Sequence, residues 1–120
     1  MSKKILVVDD SPVELANLRM LLHDHGYDTV TATTGRECVE KAIAEMPSLI
    51  LLDIIMPDMD GYEACRRLRA DSKTKPIPVV FVSSKNQKAD QLWATMQGAK
   101  ALIGKPYTPE QILQTVRAFA

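Results

Sequence analysis

The stretch from Leu49 to Gly61, LILLDIIMPDMDG, carries the pattern that decides the fold. Its first four residues form a continuous apolar run, which is typical of a strand buried on both faces of a parallel sheet. Asp53 ends the run, and the turn-forming residues PDMDG follow shortly after it. Ligands of open α/β sheets bind beyond the carboxyl ends of the strands. The segment therefore predicts a central strand with a site at its carboxyl end.

Four more segments of the chain have strand-like patterns. Continuous apolar runs cover Ile5–Val8, Val79–Val82 and Ala101–Ile103, and each gives way to polar residues. Between Tyr27 and Thr33, threonines alternate with apolar residues, which is typical of a strand with one wetter face near a sheet edge. The sequence thus predicts five strands.

The segments between these strands show helical periodicity and helix-start signals. The residues expected to open the helices are Ser11, Thr34, Asp60, Asn86 or a neighbour, and Thr108. The last helix is expected to place Ile112, Leu113, Val116 and Phe119 on its inner face. Five strands alternating with five helices predict a doubly wound α/β fold, with helices on both faces of a mostly parallel sheet.

Length and composition restrict the possible function classes. The 120 residues suffice for one domain, and 46% hydrophobic with 25% charged residues is ordinary globular usage. Fifteen basic and fifteen acidic residues cancel, which removes the basic excess that nucleic-acid binding requires. The sequence shows neither a signal peptide nor a membrane-length apolar stretch. We therefore expect a cytoplasmic protein without direct nucleic-acid or membrane contact, in which Cys38 and Cys65 are free core thiols.

Polar side chains follow four of the predicted strands and should meet at one edge of the sheet. They are Asp9, Asp10, Asp53, Ser83 and Lys105. Crowded carboxylates raise one another's pKa, and a hard divalent cation compensates them. Mg²⁺ fits best, because it typically takes only one or two carboxylates plus a phosphate oxygen. Ser83 and Lys105 would contact further phosphoryl oxygens, as a phosphoryl-transfer transition state requires.

The acidic residues are expected to have different roles. Asp53 is the candidate nucleophile, because it ends the most apolar strand. Asp10 is the candidate direct metal ligand, whereas Asp9 points to the other face of its strand and is expected to orient the ion or act through water. The backbone carbonyl of Ile55 could complete the coordination. There are two competing interpretations. The aspartates and Lys105 could form a structural ion-pair cluster, and Ser83 alone could cap the following helix.

Four separated motifs together resemble the receiver domain of two-component response regulators. They are ILVVDDS from Ile5, LILLDIIMPDMDG from Leu49, VVFVSS from Val79 and GKP from Gly104. The resemblance covers essentially all of residues 1–120 and implies a flavodoxin-like sheet of strand order 2-1-3-4-5, often with a cis peptide before Pro106. It also implies that Asp53 accepts a phosphoryl group from a sensor histidine kinase or phosphotransfer protein, with Asp9, Asp10 and Ile55 around Mg²⁺ and with Ser83 and Lys105 on the phosphoryl group.

A narrower resemblance concerns the last third of the chain. The segment from Lys85 to Pro106 is similar to stand-alone receivers of the PilH type, which serve type IV pilus and twitching motility systems. Family members frequently carry a switch tyrosine or phenylalanine three residues before the lysine, and here that residue is Leu102. We expect a switch surface around Leu102 and Trp93 that acts through packing.

The resemblance implies a signalling switch. We expect no output domain after residue 120, and therefore expect the switch to work as an adaptor or phosphate sink. Two positions that tune hydrolysis in the family hold Ile55 and Lys85, and neither side chain can orient an attacking water. We therefore expect slow self-dephosphorylation and no steady turnover of an external substrate. An aspartyl-phosphate hydrolase is the main alternative, disfavoured because Ile55 is not a general acid. A flavin carrier is disfavoured because Asp9 and Asp10 would repel its phosphate.

Overall fold

The protein is described by a computed structural model that covers residues 3–120. Residues 1 and 2, part of the N-terminal stretch in which no signal peptide is predicted, lie outside the described residues. The strands are β1 Lys4–Val8, β2 Asp28–Ala32, β3 Leu49–Leu52, β4 Val79–Ser83 and β5 Ala101–Gly104. The helices are α1 Pro12–Asp24, α2 Gly35–Glu45, α3 Gly61–Ala70, α4 Lys88–Met96 and α5 Pro109–Phe119. The predicted alternation of strands and helices is confirmed.

The five strands form one parallel sheet in the order β2-β1-β3-β4-β5. This order confirms the predicted doubly wound, flavodoxin-like class, and it puts the partly exposed β2 at an edge, as its alternating pattern indicates. The chain leaves β1 toward β2 on one side and returns to β3 on the other. A crevice therefore opens between the carboxyl ends of β1 and β3, where proteins of this class bind their ligands.

The alternation of side chains along the strands divides the core into two layers. On one face, Ile5 and Val7 pack with apolar residues of α1 and α5, such as Leu18 and Ile112. On the other face, β-strand residues pack with α2, α3 and α4 and with the fully buried free thiols Cys38 and Cys65. Burial is the main cause that raises the pKa of Cys38 to about 12 and that of Cys65 to about 11. Both thiols are core residues, as the sequence predicts.

Most helix starts follow the predicted capping pattern. The side chains of Ser11, Thr34, Asp60 and Thr108 each accept a hydrogen bond from the backbone N–H three residues later. Helix α4 begins after Gln87, the neighbour of Asn86, which agrees with the prediction of Asn86 or a neighbour. The amide of Asn86 is used within the preceding loop, where it donates to the carbonyl of Ser83 at 3.4 Å.

The competing interpretation of Ser83 and one expectation about the last helix are wrong. Ser83 does not cap α4, because its hydroxyl lies at the end of β4 and accepts from the backbone N–H of Lys85 at 3.1 Å. Phe119 is not on the buried face of α5, since it ends the helix and keeps 36% of its surface exposed. The residues Ile112, Leu113 and Val116 are buried as predicted. Within residues 3–120, no helix has the length and hydropathy to cross a bilayer.

Candidate functional site

Three acidic side chains meet at the carboxyl edge of the sheet. Asp9 follows β1 and Asp53 follows β3, while Asp10 extends the turn into α1. One carboxylate oxygen from each of the three lies within 4.8 Å of the others. Asp9 and Asp53 are 3% and 7% exposed, whereas Asp10 is open to solvent. The parallel register places these groups together, because equivalent strand ends meet at the same edge.

Lys105 completes this acidic cleft from the end of β5. Its Nζ lies 2.7 Å from Asp9 Oδ2 and 3.3 Å from Asp53 Oδ2, with 15% of its side chain exposed. Burial acts to lower the pKa of Lys105, but the hydrogen bond to Asp9 and the charges of Asp53 and Asp9 outweigh it, so the pKa is raised. The ammonium therefore stays charged between the two buried carboxylates.

Backbone contacts fix the orientation of the two buried carboxylates. Asp9 Oδ1 accepts from the N–H of Ser11 at 2.9 Å, and Asp53 Oδ1 accepts from the N–H of Ile55 at 3.3 Å. The backbone of Asp53 is itself held, because its N–H donates to the carbonyl of Val8 at 3.0 Å. Behind it, a Cβ on Gly61 would stand 2.3 Å from the Asp53 carbonyl oxygen. The backbone of Asp53, the candidate phosphoryl acceptor, is therefore held rigidly.

The residues around the carboxylates form an open cleft. Its lining comprises Asp9, Asp10, Ser11, Glu14, Asp53, Ile55, Ser84, Lys105 and Pro106. The peptide bond between Lys105 and Pro106 is cis, as the family resemblance implies. The structure therefore brings together the predicted aspartates and lysine, with Ile55 at the rim and 55% exposed.

Ser83 and its neighbour Ser84 differ in burial and in their position relative to the cleft. Ser83 is fully buried and pairs with Gly104 in the sheet, while Ser84 is exposed and lines the cleft. Glu14 is a further lining residue to which the sequence reasoning gave no role in the site. Its position in the first turn of α1, directly after the acidic pair, was the available signal.

The donor set of the cleft fits a hard divalent cation. Three carboxylates face one ammonium, so the formal charge of the four groups is negative, and all available ligands are oxygen atoms. Oxygen ligands and remaining open positions are what Mg²⁺ prefers in proteins. Asp10 has the most accessible carboxylate of the three, whereas both oxygens of Asp9 already accept hydrogen bonds.

A second polar cluster links α3, the β4–α4 loop and α4. The carboxylate of Asp90 accepts from Lys85 Nζ at 2.5 Å, from the Tyr62 hydroxyl at 3.4 Å and from the backbone N–H of Gln87 at 3.1 Å. The ring of Tyr62 meets that of Trp93 edge-on, with centroids 6.4 Å apart. We call Tyr62, Lys85 and Asp90 the α3–α4 cluster. No sequence pattern predicts this cluster.

The two residues expected in the switch surface lie near this cluster. Leu102 of β5 is buried, and its carbonyl accepts from the Gln91 side chain of α4 at 3.4 Å. Trp93 is 46% exposed on α4, next to the exposed Leu92 and Met96. The apolar face of α4 is therefore only partly covered within the described chain.

Comparison with known proteins gives this site its context. The response regulator receiver domain pattern matches residues 5–117, nearly the whole chain. This chain belongs to the response regulator receiver family. Among its curated relatives, Protein PilH of Pseudomonas aeruginosa is 40% identical over 115 residues, which cover 96% of this chain and 95% of that protein. The receiver also spans only 26% to 50% of several longer curated relatives.

Solved structures support the same assignment. The chemotaxis protein CheY4 of Vibrio cholerae superposes with a TM-score of 0.93 at 30% identity, and the match covers 100% of both chains. The receiver domain of a sensor histidine kinase from Pseudomonas aeruginosa has the same fold, with a TM-score of 0.91 over 99% of this chain and 98% of that one, at 24% identity. That structure is described with a magnesium ion coordinated in its active-site cleft.

Proposed function

We propose that this receiver accepts a phosphoryl group on Asp53 in a Mg²⁺-dependent reaction and thereby switches a protein-binding surface. The observation that carries the proposal is the convergence of Asp9, Asp10, Asp53 and Lys105, with three carboxylate oxygens within 4.8 Å. Gathering such groups at a strand edge is costly unless they pair or hold a cation. The proposed donor is a sensor histidine kinase or a phosphotransfer protein.

The proposed transfer is a displacement at phosphorus. An oxygen of the Asp53 carboxylate forms the new O–P bond while the P–N bond to the donor histidine breaks. The bonding pair returns to the ring nitrogen. Lys105 Nζ is proposed to pair with a phosphoryl oxygen once that carboxylate is esterified, and its distance of 3.3 Å from Asp53 Oδ2 supports this role. The Ser83 hydroxyl is proposed to donate to another phosphoryl oxygen.

The proposed metal site uses Asp10, Asp53 and the backbone carbonyl of Ile55, with Asp9 orienting the ion. The exposed carboxylate of Asp10 supports its role as a direct ligand. Bound Mg²⁺ would supply neutralising charge for the carboxylates and the incoming phosphoryl group. Lys105 already engages Asp9, which supports an indirect role for Asp9.

The pathway part of the proposal rests on relatives. Similarity to PilH and to a chemotaxis protein, each over nearly the whole chain, supports a role in pilus or chemotaxis-like phosphorelay signalling. The free buried thiols Cys38 and Cys65 are compatible with a reducing compartment, and we propose a cytoplasmic location. The partly exposed α4 residues around Trp93 support a protein-binding output surface.

We further propose that the receiver is a phosphoacceptor and not a steadily turning-over hydrolase. Ile55 lies at the cleft rim where a hydrolase would place a general acid, and the ammonium of Lys85 is paired with Asp90. Neither group can orient an attacking water. Self-dephosphorylation should therefore be slow, and a phosphoryl lifetime of seconds in buffer would contradict this.

Intact-mass measurement tests the acceptor assignment. Wild-type protein incubated with acetyl phosphate and Mg²⁺ should gain one phosphoryl group, and Asp53→Asn should gain none. Asp58→Asn is the matched control, because Asp58 lies in the same loop with a positive φ that asparagine tolerates, and it should behave as wild type. Unaltered phosphorylation of Asp53→Asn would exclude Asp53 as the acceptor. Continuous phosphate release over many turnovers would favour the hydrolase, and a yellow purified protein would favour the flavin carrier.

A further inference from the structure

Lys85 is a second lysine that begins beside the acidic cleft. Its backbone N–H donates to the Ser83 hydroxyl at 3.1 Å, and its neighbour Ser84 lines the cleft. A lysine carries its charge on a flexible four-carbon stem, so the position of its backbone does not fix the position of its ammonium. This loop lies between two acidic sites: the cleft, which Ser84 lines, and Asp90, which Lys85 contacts.

In the structure, the Lys85 ammonium is at Asp90. Nζ lies 2.5 Å from Asp90 Oδ1, and the Lys85 side chain does not contribute to the cleft lining. The hydrogen bond to Asp90 is the main cause that raises the pKa of Lys85, and the same bond lowers the pKa of Asp90. Both groups are therefore charged at neutral pH.

Asp90 is the fixed member of this pair. It is 7% exposed and lies in the first turn of α4, where its Oδ2 accepts from the Gln87 backbone at 3.1 Å. Tyr62 donates to its other oxygen, and the Tyr62 ring is held by edge contacts to Phe81 and Trp93 at 5.4 and 6.4 Å. Lys85, with 48% of its side chain exposed, is the solvent-exposed member.

We propose that Asp90 is a positioning residue that holds the Lys85 ammonium away from the acidic cleft and thereby keeps the negative charge of the cleft available to a divalent cation. The inference rests on the proposed Mg²⁺ site. With one ammonium, Lys105, the three carboxylates keep a net formal charge of two negatives, and a second ammonium would halve it. Freed from Asp90, Lys85 would compete with the cation for the same carboxylates.

Magnesium titration by calorimetry at low ionic strength tests the inference. Asp90→Asn keeps the side-chain shape and an oxygen for the Gln87 N–H but removes the charge. We expect its Mg²⁺ Kd to rise about fivefold. The released Lys85 ammonium would repel the cation, and solvent would partly screen that repulsion. Lys85→Met should bind Mg²⁺ like wild type, and the double variant Asp90→Asn/Lys85→Met should recover wild-type affinity. The loss in Asp90→Asn should shrink at high salt, because salt screens exposed charges.

A gain-of-charge variant keeps the test informative if Asp90→Asn folds poorly. Ser84→Lys adds an ammonium at an exposed, cleft-lining residue while Asp90 stays intact, and it should also weaken Mg²⁺ binding. Unchanged Mg²⁺ binding in Ser84→Lys would overturn the inference. A double variant that binds Mg²⁺ as weakly as Asp90→Asn would also overturn it, because Asp90 would then act only on the structure of α4. Absence of Mg²⁺ binding in the wild type would instead overturn the metal part of the proposed function.

Discussion

The receiver contains two clusters in which a lysine reaches buried aspartate, and they differ in how the chain builds them. In the acidic cleft, Lys105 contacts Asp9 and Asp53 with 15% of its side chain exposed. In the α3–α4 cluster, Lys85 contacts Asp90 with 48% of its side chain exposed. The first lysine follows a strand directly, whereas the second belongs to a loop. The comparison separates a cluster fixed by sheet register from one fixed by helix and loop packing.

The rigidity of the cleft comes from backbone contacts beneath it. The N–H of Asp53 donates to Val8 of the neighbouring strand, and Gly61 of α3 packs against the backbone of Asp53 and Ile54. The α3–α4 cluster depends instead on side-chain hydrogen bonds from Tyr62 and Lys85. Changes under the cleft should therefore have larger effects than changes in the α3–α4 cluster.

The largest effect is expected for Gly61→Ala. Its new Cβ would stand 2.3 Å from the Asp53 carbonyl oxygen and 2.8 Å from Ile54 Cα, and backbone atoms cannot yield as a flexible side chain can. We expect a loss of about 3 kcal/mol in the free energy of unfolding, measured by urea denaturation. Because the clash pushes on the acceptor backbone, phosphorylation of Asp53 should also slow.

Gly26→Ala is the control for this change. Gly26 has a φ of +86° but nothing within 4 Å of its added Cβ, so alanine there meets backbone strain without a clash. The expected loss is smaller, about 1 kcal/mol, and phosphorylation should be unaffected. Equal losses in the two variants would show that the close approach beneath Asp53 is not what makes the cleft rigid.

The next effect concerns the charge of the cleft. Lys105→Met removes the ammonium between Asp9 and Asp53, so the carboxylates repel one another until a cation binds. Mg²⁺ affinity should rise about tenfold in calorimetric titration. Thermal stabilisation by saturating Mg²⁺ should increase as well.

The matched control for the charge change is Lys100→Met. Lys100 is exposed and precedes β5, so its removal changes the net charge equally without touching the cleft. Its Mg²⁺ affinity should stay at the wild-type value. An affinity that is unchanged or lower in Lys105→Met would show that the lysine does not compete with the cation.

The same comparison explains what the sequence could predict. An apolar run such as Leu49–Leu52, followed by an aspartate, marks the end of a strand. Parallel strands bring equivalent ends together at one edge of the sheet. The sequence therefore predicts both the fold and the grouping of Asp9, Asp10, Asp53 and Lys105. The family resemblance added the strand order, which the sheet confirms.

The α3–α4 cluster could not be predicted in this way. Tyr62, Lys85 and Asp90 come from a helix, a loop and another helix, and no periodic pattern sets the distance between them. For a related reason, the sequence predicts the start of α4 only as Asn86 or a neighbour, and the structure selects the neighbour Gln87. Gln87 is a weak capping residue, and the reciprocal bond from its N–H to Asp90 selects it over Asn86.

The smallest effect is the pH dependence of the α3–α4 cluster. The Lys85 hydrogen bond lowers the pKa of Asp90 in the folded protein. The pair therefore stabilises the fold fully above the unfolded carboxyl pKa of about 4. This contribution is lost as the pH falls through the lower pKa of Asp90 in the folded protein. Asp90→Asn should therefore have a lower urea midpoint than wild type at pH 7. The two midpoints should begin to converge below about pH 4 and should coincide below the folded pKa of Asp90.

An exposed ion pair gives the reference for this last measurement. Glu110→Gln removes the Glu110–Arg117 pair of α5, whose side chains are 62% and 54% exposed. Because solvent screens this pair, the urea midpoint of the variant should stay close to that of wild type both at pH 7 and below about pH 4. A midpoint difference for Asp90→Asn that persisted unchanged in acid would mean that the asparagine disturbs α4 through its shape. A difference that disappears in acid would assign the effect to the carboxylate charge, and therefore to the contact with Lys85.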